Sequence, residues 1–80
     1  MEYSNQYFST YDLGLASALV ATSFPLDHLD KTYPQKVKFV FIRTEQQDEM
    51  IQAYWAGNLQ VSALAYFNTI KVLKNRIYSE

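Results

Sequence analysis

The single histidine of this 80-residue chain stands among acids, in Asp27-His28-Leu29-Asp30. An imidazole beside carboxylates is the pattern for base catalysis or for a metal site. In an extended segment, however, successive side chains alternate, so Asp27 and Asp30 point opposite ways and cannot both serve one ring nitrogen. A structural metal site also wants three or four ligands with second-shell support, and the chain has no cysteine to add. His28 therefore reads as a partly exposed strand-edge residue. No serine sits in a nucleophile-elbow context. The two glycines, Gly14 and Gly57, lie too far apart for a phosphate loop. The expectation is a chain that is not an enzyme, with no cofactor, metal or small-molecule substrate.

Binding chemistry is better supplied. Seven Tyr, five Phe and one Trp are spread over the chain, with adjacent aromatic pairs at Tyr54-Trp55 and Tyr66-Phe67. In each pair one ring can turn inward and leave the other for a partner, where large rigid rings are enriched. Trp55, Tyr54, Leu64, Tyr66 and Val72 form the candidate protein interface, with Trp55 foremost. The candidate nucleic-acid contacts are Lys36, Lys38, Arg43, Lys71, Lys74 and Arg76. Lys36 and Lys38 share a strand face that Arg43 ends; Lys71 and Lys74 are close neighbours on a helix, and Arg76 points away from them. Seven basic residues against eight acidic ones fall well short of a strongly basic domain, so nucleic acid is the weaker partner class.

The elements that position these residues follow from periodicity. Gln6–Thr10 is β-prone. A helix over about Asp12–Thr22, capped by Thr10 or Ser9 with Asp12 in its first turn, is apolar nearly all round, which implies burial on several sides. It sits mid-domain or at a subunit contact, with Gly14, Ala18 and Thr22 as a small-residue line, and Pro25 stops it. Leu26–Lys31 suits a short strand, with a turn over Asp30–Pro34. Lys36–Arg43 is the surest strand: Val37, Phe39 and Phe41 face one side, Lys36, Lys38, Val40 and Ile42 the other, and its apolar second half suggests a central place. Thr44 with Gln47 resembles a capping box. In the helix that follows, Gln47, Met50, Ile51, Tyr54 and Trp55 form the inner stripe, and Glu45, Asp48, Glu49 and Gln52 the outer face. Gly57 suits its left-handed close. Ser62 caps a last helix to about Tyr78, with Ala63, Tyr66, Phe67, Ile70, Leu73 and Ile77 inward and Leu64 and Val72 left over. The fold class is α+β: one small domain, residues 1–80 with an ordered core over about 6–78, order β-α-β-β-α-α, its mostly antiparallel three-stranded sheet packed by helices.

Composition sets the frame. With 49% hydrophobic and 19% charged residues, the chain is globular. A domain this small buries only about 60–65% of its unfolded surface, and without disulfides a partner subunit is the remaining source of stability. The start of the chain lacks the basic-then-apolar pattern of a signal peptide, and Leu13–Ala21 is far too short to cross a bilayer. The expected setting is the cytoplasm, with no membrane association.

From Lys36 onward, a strand followed by two helices resembles a ribbon–helix–helix repressor, in which Lys36, Lys38 and Val40 would face the major groove. The apolar Val40-Phe41-Ile42 and the long segment before the strand depart from that pattern. Over Tyr7–Tyr78, YFSTYDLGLASAL, PQKVKFVF, YWAGNLQV and YFNTIKVLKNRIY resemble a family of very small bacterial and mobile-element proteins of unknown function. That resemblance implies a single domain and brings no reaction or ligand. The reading is a non-catalytic binding module, an oligomer or a small subunit of a larger complex, whose partner is itself or another protein. The alternatives are a ribbon–helix–helix-like DNA-binding regulator and a small protein inhibitor or adaptor, though the chain lacks the acidity of a DNA mimic.

Overall fold

The computed structural model describes residues 6–33 and 35–79. Its elements are β1 (Tyr7–Thr10), α1 (Leu13–Ala21), β2 (Leu26–Tyr33), β3 (Lys36–Ile42), α2 (Glu45–Ala56) and α3 (Ala63–Ser79), the order that periodicity implies. β3 is the middle strand, antiparallel to β1 on one edge and to β2 on the other. Its composition accounts for that place. Phe39, Val40 and Phe41 are all buried, whereas β1 and β2 carry the polar residues of sheet edges.

β2 is longer than the sequence suggests and runs to Tyr33. The polar stretch expected to turn the chain instead makes an irregularity between Asp30 and Tyr33. There the Asp30 carboxylate accepts from the Thr32 hydroxyl at 2.6 Å and the Thr32 backbone N–H at 2.9 Å. These bonds hold its carboxyl below the usual carboxylate range. Pro34 of the expected turn lies outside the described residues.

The cap of α1 is Asp12, not Thr10 or Ser9. Thr10 is still paired with Phe39 in the ladder, so the chain cannot turn there. Asp12 Oδ1 accepts from Leu15 N at 3.1 Å, and Thr10 Oγ1 accepts from Asp12 N at 3.0 Å. Leu15 to Leu19 are buried without a break. They are enclosed because α1 packs against α2, α3 and the sheet. The first helix therefore sits mid-domain, with Leu13, Gly14, Val20 and Ala21 half-buried at its ends.

Both α1 and α2 end the same way. Phe24 N donates to Leu19 O at 2.9 Å and Ser23 N to Val20 O at 3.1 Å, with Ser23 at φ 83°. Asn58 N donates to Ala53 O at 2.8 Å and Gly57 N to Tyr54 O at 3.1 Å, with Gly57 at φ 77°. This left-handed close satisfies carbonyls that the helix leaves open. Ser23, not Pro25, thus ends α1. At the other end of α2, Thr44 Oγ1 accepts from Gln47 N at 3.1 Å. The Gln47 side chain does not reach back to complete the box; its Nε2 donates to Ile42 O at 3.3 Å.

One apolar cluster holds the domain together. Leu15, Ala16 and Leu19 of α1 meet Phe39 and Phe41 of β3 and Leu73 of α3, with Phe8, Leu26, Leu29, Met50, Ile51, Tyr54 and Ile77 against them. All three helices therefore cover the same side of the sheet. Burying each large side chain contributes roughly 1.5–3 kcal/mol. Among the described residues, no helix covers the opposite side, which carries the alternate positions of each strand.

Candidate binding surfaces

Helical spacing gives α3 two unlike sides. Tyr66, Ile70, Leu73 and Ile77 turn inward, while Leu64, Phe67, Lys71, Val72, Lys74 and Tyr78 are exposed. Phe67 and Ala63, expected inside, belong to the outer side; Phe67 is 58% exposed. Leu64 at 69% and Val72 at 55% are outside as expected. Lys71 Nζ lies 5.2 Å from the Phe67 ring centroid, so the long cation covers part of an apolar strip. From Ala63 to Ser79 the helix has no acidic residue.

The outer side of α2 is its counterpart in charge. Glu45, Glu49 and Gln52 are exposed and Asp48 half-buried, with no basic residue in the helix. Trp55 ends this side, 63% exposed and edge-on to Tyr54 with centroids 5.0 Å apart. It was expected on the inner stripe as well as at a contact. Only the exposed placement holds, because Tyr54 takes the inward position beside α1. Arg43 Nε pairs with Asp48 Oδ1 at 3.4 Å, which joins the end of β3 to α2 and separates Arg43 from the other candidate cations.

Tyr54 and Tyr66 are both half-buried and converge on the first turn of α1, where Tyr66 donates to Gly14 O at 3.2 Å. A Cβ on Gly14 would lie 2.6 Å from the Tyr54 hydroxyl and 3.2 Å from that of Tyr66. Burial raises the Tyr54 pKa above its usual value, and the Asp12 charge adds to the effect. The two phenols join α2 and α3 to the start of α1.

The helix-free side of the sheet brings together Tyr7, Ser9, His28, Asp30, Tyr33, Lys36, Lys38, Val40 and Ile42, as the strand register requires. Tyr11 follows β1 on this side, with Lys36 Nζ 5.5 Å and Lys38 Nζ 5.6 Å from its ring centroid. A depression of about 220 Å³ is lined by Tyr11, Asp30, Thr32, Tyr33, Lys36 and Lys38. Lys36 and Lys38 thus share a surface with Tyr11 and Tyr33, two rings the sequence did not single out. Their grouping depends on strand pairing, which spacing alone does not supply. β3 is paired with β2 on one edge and, over Phe39–Ile42, with β1 on the other, so Val40 has strand partners on both sides.

His28 Nδ1 lies 2.6 Å from Asp27 Oδ2, both exposed on edge strand β2. Asp30 is turned away to Thr32. No group of three or more His, Cys, Asp or Glu converges among the described residues. Lys31, unremarked in the sequence, donates to Ile77 O at 2.7 Å, where a cation suits a helix C-terminus. Arg76 lies half-buried near that end of α3, apart from the outward Lys71 and Lys74. No helix among the described residues is long and apolar enough to cross a membrane.

Residues 5–79 match the family described as a domain of unknown function (DUF5659), and the chain belongs to that family. No curated protein and no solved structure matches it.

Proposed function

We propose that this domain is a non-catalytic binding module that associates with copies of itself, the outer side of α2 on one copy meeting the outer side of α3 on the next. The observation that carries the reading is the division of charge between two unpartnered helices. α2 presents acids and Trp55; α3 presents Lys71, Lys74 and exposed Leu64 and Phe67. At 1.5 Å per residue, an antiparallel pairing sets Trp55 against Leu64 and Phe67, Glu49 against Lys71, and Glu45 against Lys74. Pairing α3 with α3 would instead bring lysines together. An aromatic anchor with flanking charge pairs is a common interface plan.

Such a contact is head-to-tail, so it builds rings or open rows rather than a closed twofold dimer. One helix against another buries less than the roughly 1,600 Å² of a standard interface, so association is weak and concentration-dependent. A small-subunit role would use the same surfaces on a different partner. A cytoplasmic setting belongs to the proposal, since a cysteine-free chain draws nothing from an oxidising compartment. A bacterial or mobile-element origin does too, supported by the resemblance of the sequence motifs.

Size exclusion with light scattering over a concentration series tests the reading. The mass should rise with concentration for the parent, and stay monomeric for Lys71→Glu/Lys74→Glu and for Glu45→Lys/Glu49→Lys. Mixing the two variants, or combining all four changes, should restore assembly. A parent that stays monomeric throughout would remove self-association.

A further inference from the structure

We infer that the helix-free side of the sheet is a binding site for single-stranded nucleic acid, with Tyr11 as a stacking platform and Lys36 and Lys38 as phosphate contacts. This goes beyond self-association and uses a surface that the helix contacts leave open.

Three observations support it. First, Tyr11 is 50% exposed and Tyr33 65% exposed, and both line one depression with the two lysines. Both rings are open to solvent, and a base offers a π-face to any such ring. Second, both ammonium groups lie over the Tyr11 ring, within 5.6 Å of its centroid. A phosphate flanking a stacked base would therefore meet positive charge without rearrangement of the strand. Third, Asp30, which lines the same depression, already accepts two bonds from Thr32, while both lysines remain over the Tyr11 ring.

Shape selects the single strand. A duplex hides its base faces in the stack and presents phosphates on a convex rod, so exposed tyrosines would gain nothing from it. An unpaired strand can lay bases on the sheet while its backbone follows the lysines, as single-strand-binding surfaces do in general. Only two lysines take part, so binding is modest in strength and of low sequence preference. The salt dependence is correspondingly shallow, with log K falling by about 0.7 per log unit of salt for each phosphate neutralised.

Fluorescence anisotropy with labelled single-stranded DNA, single-stranded RNA and duplex DNA tests the assignment, with circular dichroism to verify the fold of each variant. Either single strand should bind, and the pair tells whether the sugar matters; the duplex should bind more weakly. Tyr11→Ala should weaken single-strand binding about tenfold or more. Lys36→Gln and Lys38→Gln should each weaken it and reduce the salt slope by about 0.7. Lys71→Glu/Lys74→Glu, which should abolish self-association, should leave single-domain binding to a short oligonucleotide unchanged. No binding, equal or stronger binding to duplex, or a loss that follows Lys71 and Lys74 rather than Tyr11 would overturn the inference. Loss of assembly without loss of oligonucleotide binding, or the reverse, separates this site from the self-association surfaces.

Discussion

The Tyr54 hydroxyl stands against the α-carbon side of Gly14 so closely that a Cβ there would be 2.6 Å away. Gly14 is therefore tightly enclosed at the start of α1, where the Tyr54 and Tyr66 hydroxyls close over it. A conformational role is not involved, since Gly14 is not among the positive-φ residues.

Gly14→Ala should consequently destabilise the fold although alanine is the better helix former. Overpacking costs about 1–3 kcal/mol, against a propensity gain of at most about 1 kcal/mol that is smaller in a first turn. A net loss of about 1 kcal/mol should appear as a lower urea midpoint. In a Tyr54→Phe background, where the blocking oxygen is gone, the same change should cost less. Equal or greater stability of the single variant would show that the phenols move aside freely.

The same phenol makes stability depend on alkaline pH. The folded pKa of Tyr54 is raised above its ordinary value near 10, so the unfolded chain loses this proton first. Below about pH 10 both states keep the proton and nothing changes. As pH climbs above that value toward the folded pKa, stability falls. Tyr54→Phe should flatten this part of a denaturation-versus-pH curve, and an unaltered slope would count against the cause given.

Ser23 holds a left-handed conformation that favours glycine, at φ 83°. Ser23→Gly should relieve that cost while raising the entropy of the unfolded chain, for a net gain of about 0.5–1 kcal/mol. Thermal unfolding should shift upward by a few degrees, about 4–8 °C per kcal/mol for a domain of this size. A downward shift would mean that the Ser23 side chain contributes something glycine cannot replace.

The legible parts of this fold are those fixed by neighbours in sequence. The alternation of Val37, Phe39 and Phe41 identified the core side of β3, and Thr44, Gly57 and Ser62 marked helix ends through local hydrogen bonds. Charge along α2 was readable for the same reason. What spacing could not settle was which ring of an adjacent pair turns inward. Tyr66 does so because its hydroxyl reaches the Gly14 carbonyl, a bond made across the whole domain, and Phe67 is left outside. Ser23 gave no local sign of its conformation. The helix-free surface was also hidden, because Tyr11 and Tyr33 meet Lys36 and Lys38 only once the three strands are paired. Lys31 looked like one more surface charge until α3 ended beside it.

Crosslinking between copies tests the central claim most directly, because the chain has no native cysteine. Gln52 of α2 and Asn68 of α3 are both exposed and fall opposite one another in the antiparallel pairing. Gln52→Cys and Asn68→Cys proteins, each alone with a short thiol crosslinker, should remain uncoupled, and an equal mixture should give a covalent pair of one copy of each. Coupling within either single-variant sample as strong as in the mixture, or no coupling in the mixture at concentrations where the parent assembles, would contradict it.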